Sequence, residues 1–482
     1  MMRHRLGQAL IDHTDRIAVV QAATGQQTSY SELEQLAAGL DHVLGGYETH
    51  VLIILLPKSP LYYAAILRCL VLGLPFCCLD EATPLPRIRE VCRQLERPLI
   101  LGDITSPSEP LSGIPTLSSK VVSPKSLHLN PSGDSEDAHY YIATSGSTGT
   151  PKLIRGRQSA LAGFVDWAIP FYRVDVDTRW AQFSSTGFDL TLVDIVTVLS
   201  AGGRLVALSS RFDRLLPSHA IERFDITHWH SVPSAIPFLV ASHGQGITKS
   251  PEVFTFCGEP LYREPTAQLR SIYPEARIIN TYGPTEGTLF FMAHEVTAED
   301  LEYESMPLGK PIPGWEILLK PGDTYGELEC IIISDRIAAG YVEGPGKEFG
   351  YCTIEGRQTR TFQTGDILHL KDSKLFFTRR GDRMVKIKGE RVDLGEIEAI
   401  ARLAGASNPV AFKDGEHLHL VFEELNDAPK PARIRATFSE HLPEWLHPSL
   451  ISSLPSLPRN ANGKINRTRI SLDLGRYGNG KD

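Results

Sequence analysis

The feature that most limits what this chain can fold into is the regular return of a strand-length apolar run followed by an amphipathic stretch. Val51 to Leu56 reads as a buried strand, Tyr62 to Leu72 as a helix, and Phe76 to Leu79 as the next strand. The same order recurs through Arg204–Leu208, His228–Ser231, Val253–Phe256 and Ile278–Thr281. Short apolar runs of this kind, separated by helices, call for an α/β architecture of layered, largely parallel sheets. Ahead of them Ser31 and Glu34 have capping-box spacing, and Leu33, Leu36, Ala37, Leu40, Val43 and Leu44 follow with a helical period until Gly45 and Gly46. The Ser- and Pro-rich stretch from Thr105 to Asp137 is expected to be a surface connection.

The texture changes near Arg379. Met384 to Val392 alternates around Gly389-Glu390 and predicts a hairpin, Leu394 to Leu403 a helix, His417 to Phe422 a strand, and Ile434, Phe438 and Leu442 a second helix. A chain of 482 residues is too long for one core. The expectation is a large N-terminal domain, 1–381, of layered mostly parallel sheets flanked by helices, and a small C-terminal α+β domain, 382–482.

Charge excludes one class of partner. A net charge of -8 gives no basic face for phosphate backbones, so no nucleic acid is expected. No apolar run reaches bilayer length, and the N-terminus lacks the apolar core of a signal peptide, so no membrane association is expected. Seven cysteines without metal-ligand spacing predict reduced thiols in the cytoplasm, with Cys77 and Cys78 acting as small buried hydrophobes.

Four segments carry chemistry. TSGSTGTPK, Thr144 to Lys152, follows the apolar run Tyr140 to Ala143 and offers hydroxyls, backbone N–H groups and a terminal lysine to anionic oxygens. It is not GxxxxGK[ST], so it is no Walker loop. NTYGPTE, Asn280 to Glu286, turns at Pro284 after a strand and presents a hard carboxylate suited to Mg²⁺. TGD, Thr364 to Asp366, places an aspartate after a glycine turn, able to accept hydrogen bonds from a ribose diol. LPRNANGKINR, Leu457 to Arg467, carries Lys464 in a polar loop, where an ammonium can neutralise charge that develops in a transition state.

In this order, and together with VKIKGERVDLGEIE, these segments resemble the adenylate-forming superfamily of peptide-synthetase adenylation domains, acyl-CoA synthetases and luciferases. The resemblance runs from TSYSEL, Thr28 to Leu33, to NGKINR, nearly the whole chain. It implies an ATP site built from Thr144, Ser145, Gly146, Ser147, Thr148, Gly149, Lys152, Asn280, Thr281, Tyr282, Gly283, Thr285, Asp366 and Arg380, with Glu286 as the Mg²⁺ ligand. It makes Lys464 the lysine that bridges carboxylate and α-phosphate, groups Glu286 and Thr144 with it in adenylation, and makes Asp382 a hinge. Lys386 would belong to the face that the small domain presents for thioester formation. Two departures stand out: Arg379 replaces the usual glycine before the hinge-proximal arginine, and CCLD, Cys77 to Asp80, replaces a segment that commonly contains proline.

By the same resemblance Asp189, in FDLTLVDI, would bind a substrate ammonium, against the alternative of a plain helix N-cap. The pocket would be lined by Leu190, Val193, His230, Thr255, Cys257, Gly258, Thr281 and Leu289, which suits a small or medium neutral amino acid. FDLTLVDI, FTFCGEPL and NTYGPTEGTLFF look closest to D-alanine–carrier-protein ligases. Only a short tail follows Arg467, so the phosphopantetheine-bearing carrier protein is expected in trans. The alternative is an acyl-CoA synthetase acting on a carboxylic acid without an amine.

Overall fold

The computed structural model describes residues 2–47, 51–103, 111, 113–126, 129, 139–146, 150–244, 246–322, 324–344, 346–381, 384–387, 389–415, 417–424, 429–459, 465 and 469–470. The chain divides into two compact units. The first comprises Met1–Glu81, Gln94–Ala143 and Leu153–Gly381; the second comprises Ala82–Arg93, Thr144–Lys152 and Asp382–Asp482. A division by chain order alone, 1–381 and 382–482, therefore leaves out two segments from the first third of the sequence that cluster with the C-terminal hundred residues.

The first unit is built on three sheets. The largest has nine strands in the order Lys310–Pro311, Met292–Glu295, Arg277–Tyr282, Val253–Phe256, His228–Ser231, Arg179–Gln182, Arg204–Ala207, Ile17–Gln21 and Gln27–Ser29. The six strands from Arg277–Tyr282 to Ile17–Gln21 are parallel, and the edges are antiparallel. A second, six-stranded sheet contains Val51–Ile54 between Phe76–Cys78 and Pro98–Leu101. Thr116–Leu117, expected as surface connection, pairs in parallel with Pro98–Leu101 and so extends that sheet; most of the Ser/Pro-rich stretch lies outside the described residues. A third sheet is antiparallel and centres on the fifteen-residue strand Arg357–Lys371. The buried helices Pro60–Leu72 and Leu190–Ser200 pack into the same core as Leu52, Ile54, Leu205 and Ile279.

The helix Tyr30–Leu44 has its cap two residues before the expected Ser31. Tyr30–Leu44 is capped by Ser29, whose hydroxyl accepts from the Glu32 N–H while the Glu32 carboxylate accepts from the Ser29 N–H at 2.7 Å. Ser31 and Glu34 share the same spacing, but both lie within the helix and Glu34 is buried there. The second unit holds the expected hairpin, Met384–Ile387 with Glu390–Asp393, then the helix Leu394–Leu403. A three-stranded sheet and the helix Pro431–His441 complete it around Ile397, Leu420, Phe422, Ile434 and Phe438.

Candidate active site

In open parallel sheets the carboxyl ends of the strands form the natural binding crevice, since helix N-termini and loops converge there. Most of the expected site residues of the first unit collect at that end. Asp189 lies between the strand Arg179–Gln182 and the helix Leu190–Ser200. Cys257 and Gly258 follow Val253–Phe256, and Gly283 to Leu289 follow Arg277–Tyr282. At Gly283 an added Cβ would stand 2.5 Å from the Phe290 Cα, so the turn closes only on a glycine.

Asp189 is at the N-cap position but makes no side-chain cap bond of the usual kind. Its carboxyl is buried, interacts with the Thr285 hydroxyl and the Leu190 N–H, and faces the Glu286 carboxylate; burial raises it from the usual 3.8 to about 6. A carboxyl that is hard to ionise when alone is well suited to a cationic ligand, whose charge restores the balance. Glu286 is itself buried and accepts from the Tyr341 hydroxyl at 2.8 Å. Thr288 and Leu289 take φ of 52° and 75°, unusual for residues with a β-carbon, and the Thr288 hydroxyl is tied to the Arg336 carbonyl at 2.6 Å. Backbone strain held in place by such bonds gathers at functional sites.

Asp366 owes its position to a bulge. Glu329 pairs with Ile367 and Ile331 with Gln363, so Thr364, Gly365 and Asp366 together oppose Cys330 alone. Gly365 takes φ 72°, which permits the extra residues. The segment is thus a bulge inside a long strand, not the turn before a strand that the sequence suggests. Asp366 is buried, paired with Arg380 at 2.6 Å and bonded by the Tyr282 hydroxyl. Asn280 and Thr281 spend their side chains on the backbone: Asn280 donates to the Pro307 carbonyl at 2.8 Å, Thr281 to the Phe256 carbonyl at 3.0 Å.

Beneath Asp189 runs a polar seam that sequence reading only partly found. Gln182, His230 and Thr255 lie side by side across three adjacent strands. Facing them, Thr191, Asp194 and Thr197 recur every third residue on the helix Leu190–Ser200. Gln182 donates to the Thr191 hydroxyl at 3.0 Å, and His230 Nδ1 meets Asp194 Oδ1 at 2.6 Å with both side chains wholly buried. Trp180 Nε1 donates to the same Asp194 oxygen at 2.9 Å. Leu190, Val193, Cys257 and Leu289 supply apolar surface. Asp194 was legible only as a polar interruption of an apolar helix, at a three-residue step from Thr191 and Thr197.

In the second unit Thr144 ends the strand His139–Thr144 and Lys152 begins Lys152–Arg157, so both lie in strands at the ends of the expected loop. The Thr144 hydroxyl donates to the Lys152 carbonyl at 3.3 Å, and the buried Ser145 hydroxyl donates to the Arg391 carbonyl. Gly146 N–H faces the Glu396 carboxylate, which pairs with Arg87 at 2.5 Å. Lys386 sits in the hairpin, and its carbonyl accepts from Lys413 Nζ at 2.7 Å. Ser147, Thr148, Gly149, Asp382 and Lys464 lie outside the described residues.

A buried aspartate bonded by a tyrosine and an arginine, and a second buried aspartate at the carboxyl end of a parallel sheet, fit enzymes that join a carboxylate to a nucleotide. The family model of the AMP-binding enzyme matches residues 8–341, and the chain belongs to that family of adenylating ligases. Its relatives include the D-alanine–D-alanyl carrier protein ligase of Bacillus anthracis, 30% identical over 364 residues, covering 70% of this chain and 71% of the relative. The ligase of the same name from Listeria welshimeri is 27% identical across 93% of this chain and 95% of its own. The fold is that of the Vibrio cholerae adenylation domain AlmE, solved with glycyl-adenosine-5'-phosphate: TM-score 0.82, 21% identity, 98% of both chains. An NRPS protein containing adenylation and PCP domains superposes with TM-score 0.84 at 24% identity, over 98% of this chain and 84% of its own. No described helix is long and apolar enough to cross a membrane.

Proposed function

We propose that this protein activates a small neutral amino acid as its aminoacyl adenylate and passes the acyl group to the phosphopantetheine thiol of a separate carrier protein. The observation that carries this reading is Asp189, a buried carboxyl pushed up to about 6 that forms no ion pair with a cation among the described residues. An α-ammonium there places the substrate carboxylate toward the nucleotide. One carboxylate oxygen attacks the α-phosphorus, the bond to pyrophosphate breaks, and the aminoacyl adenylate remains. The carrier thiolate then attacks the acyl carbon and AMP leaves.

Two anions meet in the first step, so the site needs positive charge more than a base. Asp366, held by Arg380 and Tyr282, would receive the ribose diol. Thr144, Ser145, Gly146, Ser147, Thr148, Gly149 and Lys152 would surround the outer phosphates, and Lys464 would bridge the reacting oxygens. Among the described residues no cluster of three ligand-type side chains suits a metal. A Mg²⁺ held by one carboxylate and the substrate phosphates needs only Glu286, whose burial beside Asp189 fits that mode. Such an ion would offset phosphate charge. The relatives named for D-alanine support an alanine-sized substrate, and seven cysteines free of disulfides support a reducing, cytoplasmic setting.

The test is amino-acid-dependent exchange of pyrophosphate into ATP over a panel of L- and D-amino acids. Asp189→Asn is expected to raise KM for the amino acid about 100-fold with KM for ATP little changed, the loss of a charge-assisted pair in a buried site. Lys464→Ala should abolish exchange while ATP still binds. Exchange driven only by acids without an amine would replace this reading with an acyl-CoA synthetase.

A further inference from the structure

The carboxyl ends of the parallel strands carry Asp189; their amino ends carry a separate cleft of about 740 Å³. Four arginines line it, Arg16, Arg179, Arg204 and Arg223, against three aspartates. Two of the aspartates are already engaged. Asp177 accepts from Arg16 at 3.0 Å, and Asp225 accepts from Arg179 at 2.9 Å and from Lys249 at 3.1 Å. Arg223 donates to the Ala22 carbonyl at 3.3 Å and lies over the Phe224 ring at 4.8 Å. Arg204 differs: among the described residues its side chain makes no hydrogen bond and no ion pair, and its Nε is buried without a partner.

Arg204 and Arg179 stand in register on adjacent parallel strands, about 4.8 Å apart, and Arg16 leads into the strand on the other side, Ile17–Gln21. Burial, then Arg179 and Arg16, disfavour the charged form of Arg204, and no carboxylate, Asp15 included, is among the charges acting on it. A guanidinium does not give up its proton in a protein, so the charge stays. Like charges gathered at a partly buried place call for an anion from outside the chain.

We propose that this cleft binds a phosphorylated sugar or polyol, with Arg204 holding the phosphate and Arg16 and Arg179 adding positive charge around it. A guanidinium fork matches two phosphate oxygens at once. The volume is far larger than a free phosphate needs and falls in the range of small-molecule sites. Val20 and Val206, opposite each other in register, give apolar surface to the carbon skeleton, and Asp15 can accept from its hydroxyls. The strand Arg179–Gln182 separates this cleft from the loop of Asp189 by about 10 Å, so the two sites can be filled independently.

The test is titration calorimetry at constant ionic strength with glucose 6-phosphate, inorganic phosphate and glucose as probes. Saturable binding of glucose 6-phosphate is expected, at least about tenfold tighter than inorganic phosphate, with none for glucose. Arg204→Gln should weaken it about 30-fold, the loss of a charge-assisted fork, while KM for ATP in the exchange assay stays within about twofold. Its Tm in chloride should be no lower than that of the wild type, since the substitution relieves repulsion. Arg223→Gln, expected to weaken binding about tenfold, carries the test if the first variant does not fold. Lys152→Ala should bind glucose 6-phosphate as the wild type does, which separates the cleft from the nucleotide's phosphates. No saturable binding, binding undiminished in both arginine variants, or binding lost in Lys152→Ala overturns the proposal. Inorganic phosphate binding as tightly as the ester overturns the sugar phosphate as the occupant.

Discussion

At the scale of single residues, Asp189 is the most informative group because its chemistry has a sign. Its carboxyl is raised from 3.8 to about 6 by burial, so the empty fold holds its charged form at a cost. The stability this contributes is fully present below about 3.8, where both states are protonated, and is lost as pH rises through about 6. That loss amounts to roughly 3 kcal/mol at neutral pH, which an ammonium ligand offsets by binding. Amino-acid kcat/KM in the exchange assay is accordingly expected to rise about tenfold per pH unit up to about 6 and then level off. Absence of that break in the wild type, or its persistence in Asp189→Asn, would show that another group governs the profile. The sequence supplied Asp189, His230 and Thr255 through resemblance. It did not supply Asp194 as the partner of His230, nor the contact of Thr285 with Asp189, because these come from elements that meet only once the sheet is assembled.

At the scale of elements, periodicity was readable and pairing was not. The strands His228–Ser231 and Val253–Phe256 and the helix Leu394–Leu403 have the bounds their patterns imply, because burial on two faces or one stripe leaves a period in the sequence. The bulge at Thr364–Asp366 depends on what Cys330 does across the ladder, and no local pattern records that. The same holds for Lys58. It is buried after Val51–Ile54, and its ammonium donates to the carbonyls of Gln182 at 2.8 Å, Phe183 at 3.2 Å and Leu208 at 2.9 Å. These carbonyls end two neighbouring strands of the nine-stranded sheet, Arg179–Gln182 and Arg204–Ala207, just before the Asp189 loop. Lys58→Met removes the ammonium from three carbonyls, of which only that of Gln182 also accepts a backbone N–H, from Leu208 at 3.2 Å among the bonds outside the strand ladders, and is expected to destabilise the protein by about 2–4 kcal/mol. Urea unfolding would measure it, and a loss below about 0.5 kcal/mol would mean that water replaces the ammonium freely.

At the scale of the whole molecule, the chain leaves one unit for the other after Glu81, Arg93, Ala143, Lys152 and Gly381. The second unit is therefore assembled from segments hundreds of residues apart. Arg87 is paired with Glu396, which is wholly buried and which its own burial would otherwise push toward the neutral acid. Arg87→Ala is expected to lower stability by roughly 3 kcal/mol, since a buried carboxylate loses its only cation among the described residues around it. Calorimetry would register this as an earlier transition, and Glu396→Gln in the same background should recover part of the loss. That arrangement also decides how such a protein can be recombined with its kin. A graft exchanged at Gly381 alone would bring a new Glu396 and Arg391 to an old Arg87 and Ser145, so half of each contact would be foreign. The smallest module that travels whole needs three cassettes, Ala82–Arg93, Thr144–Lys152 and Asp382–Asp482, moved together.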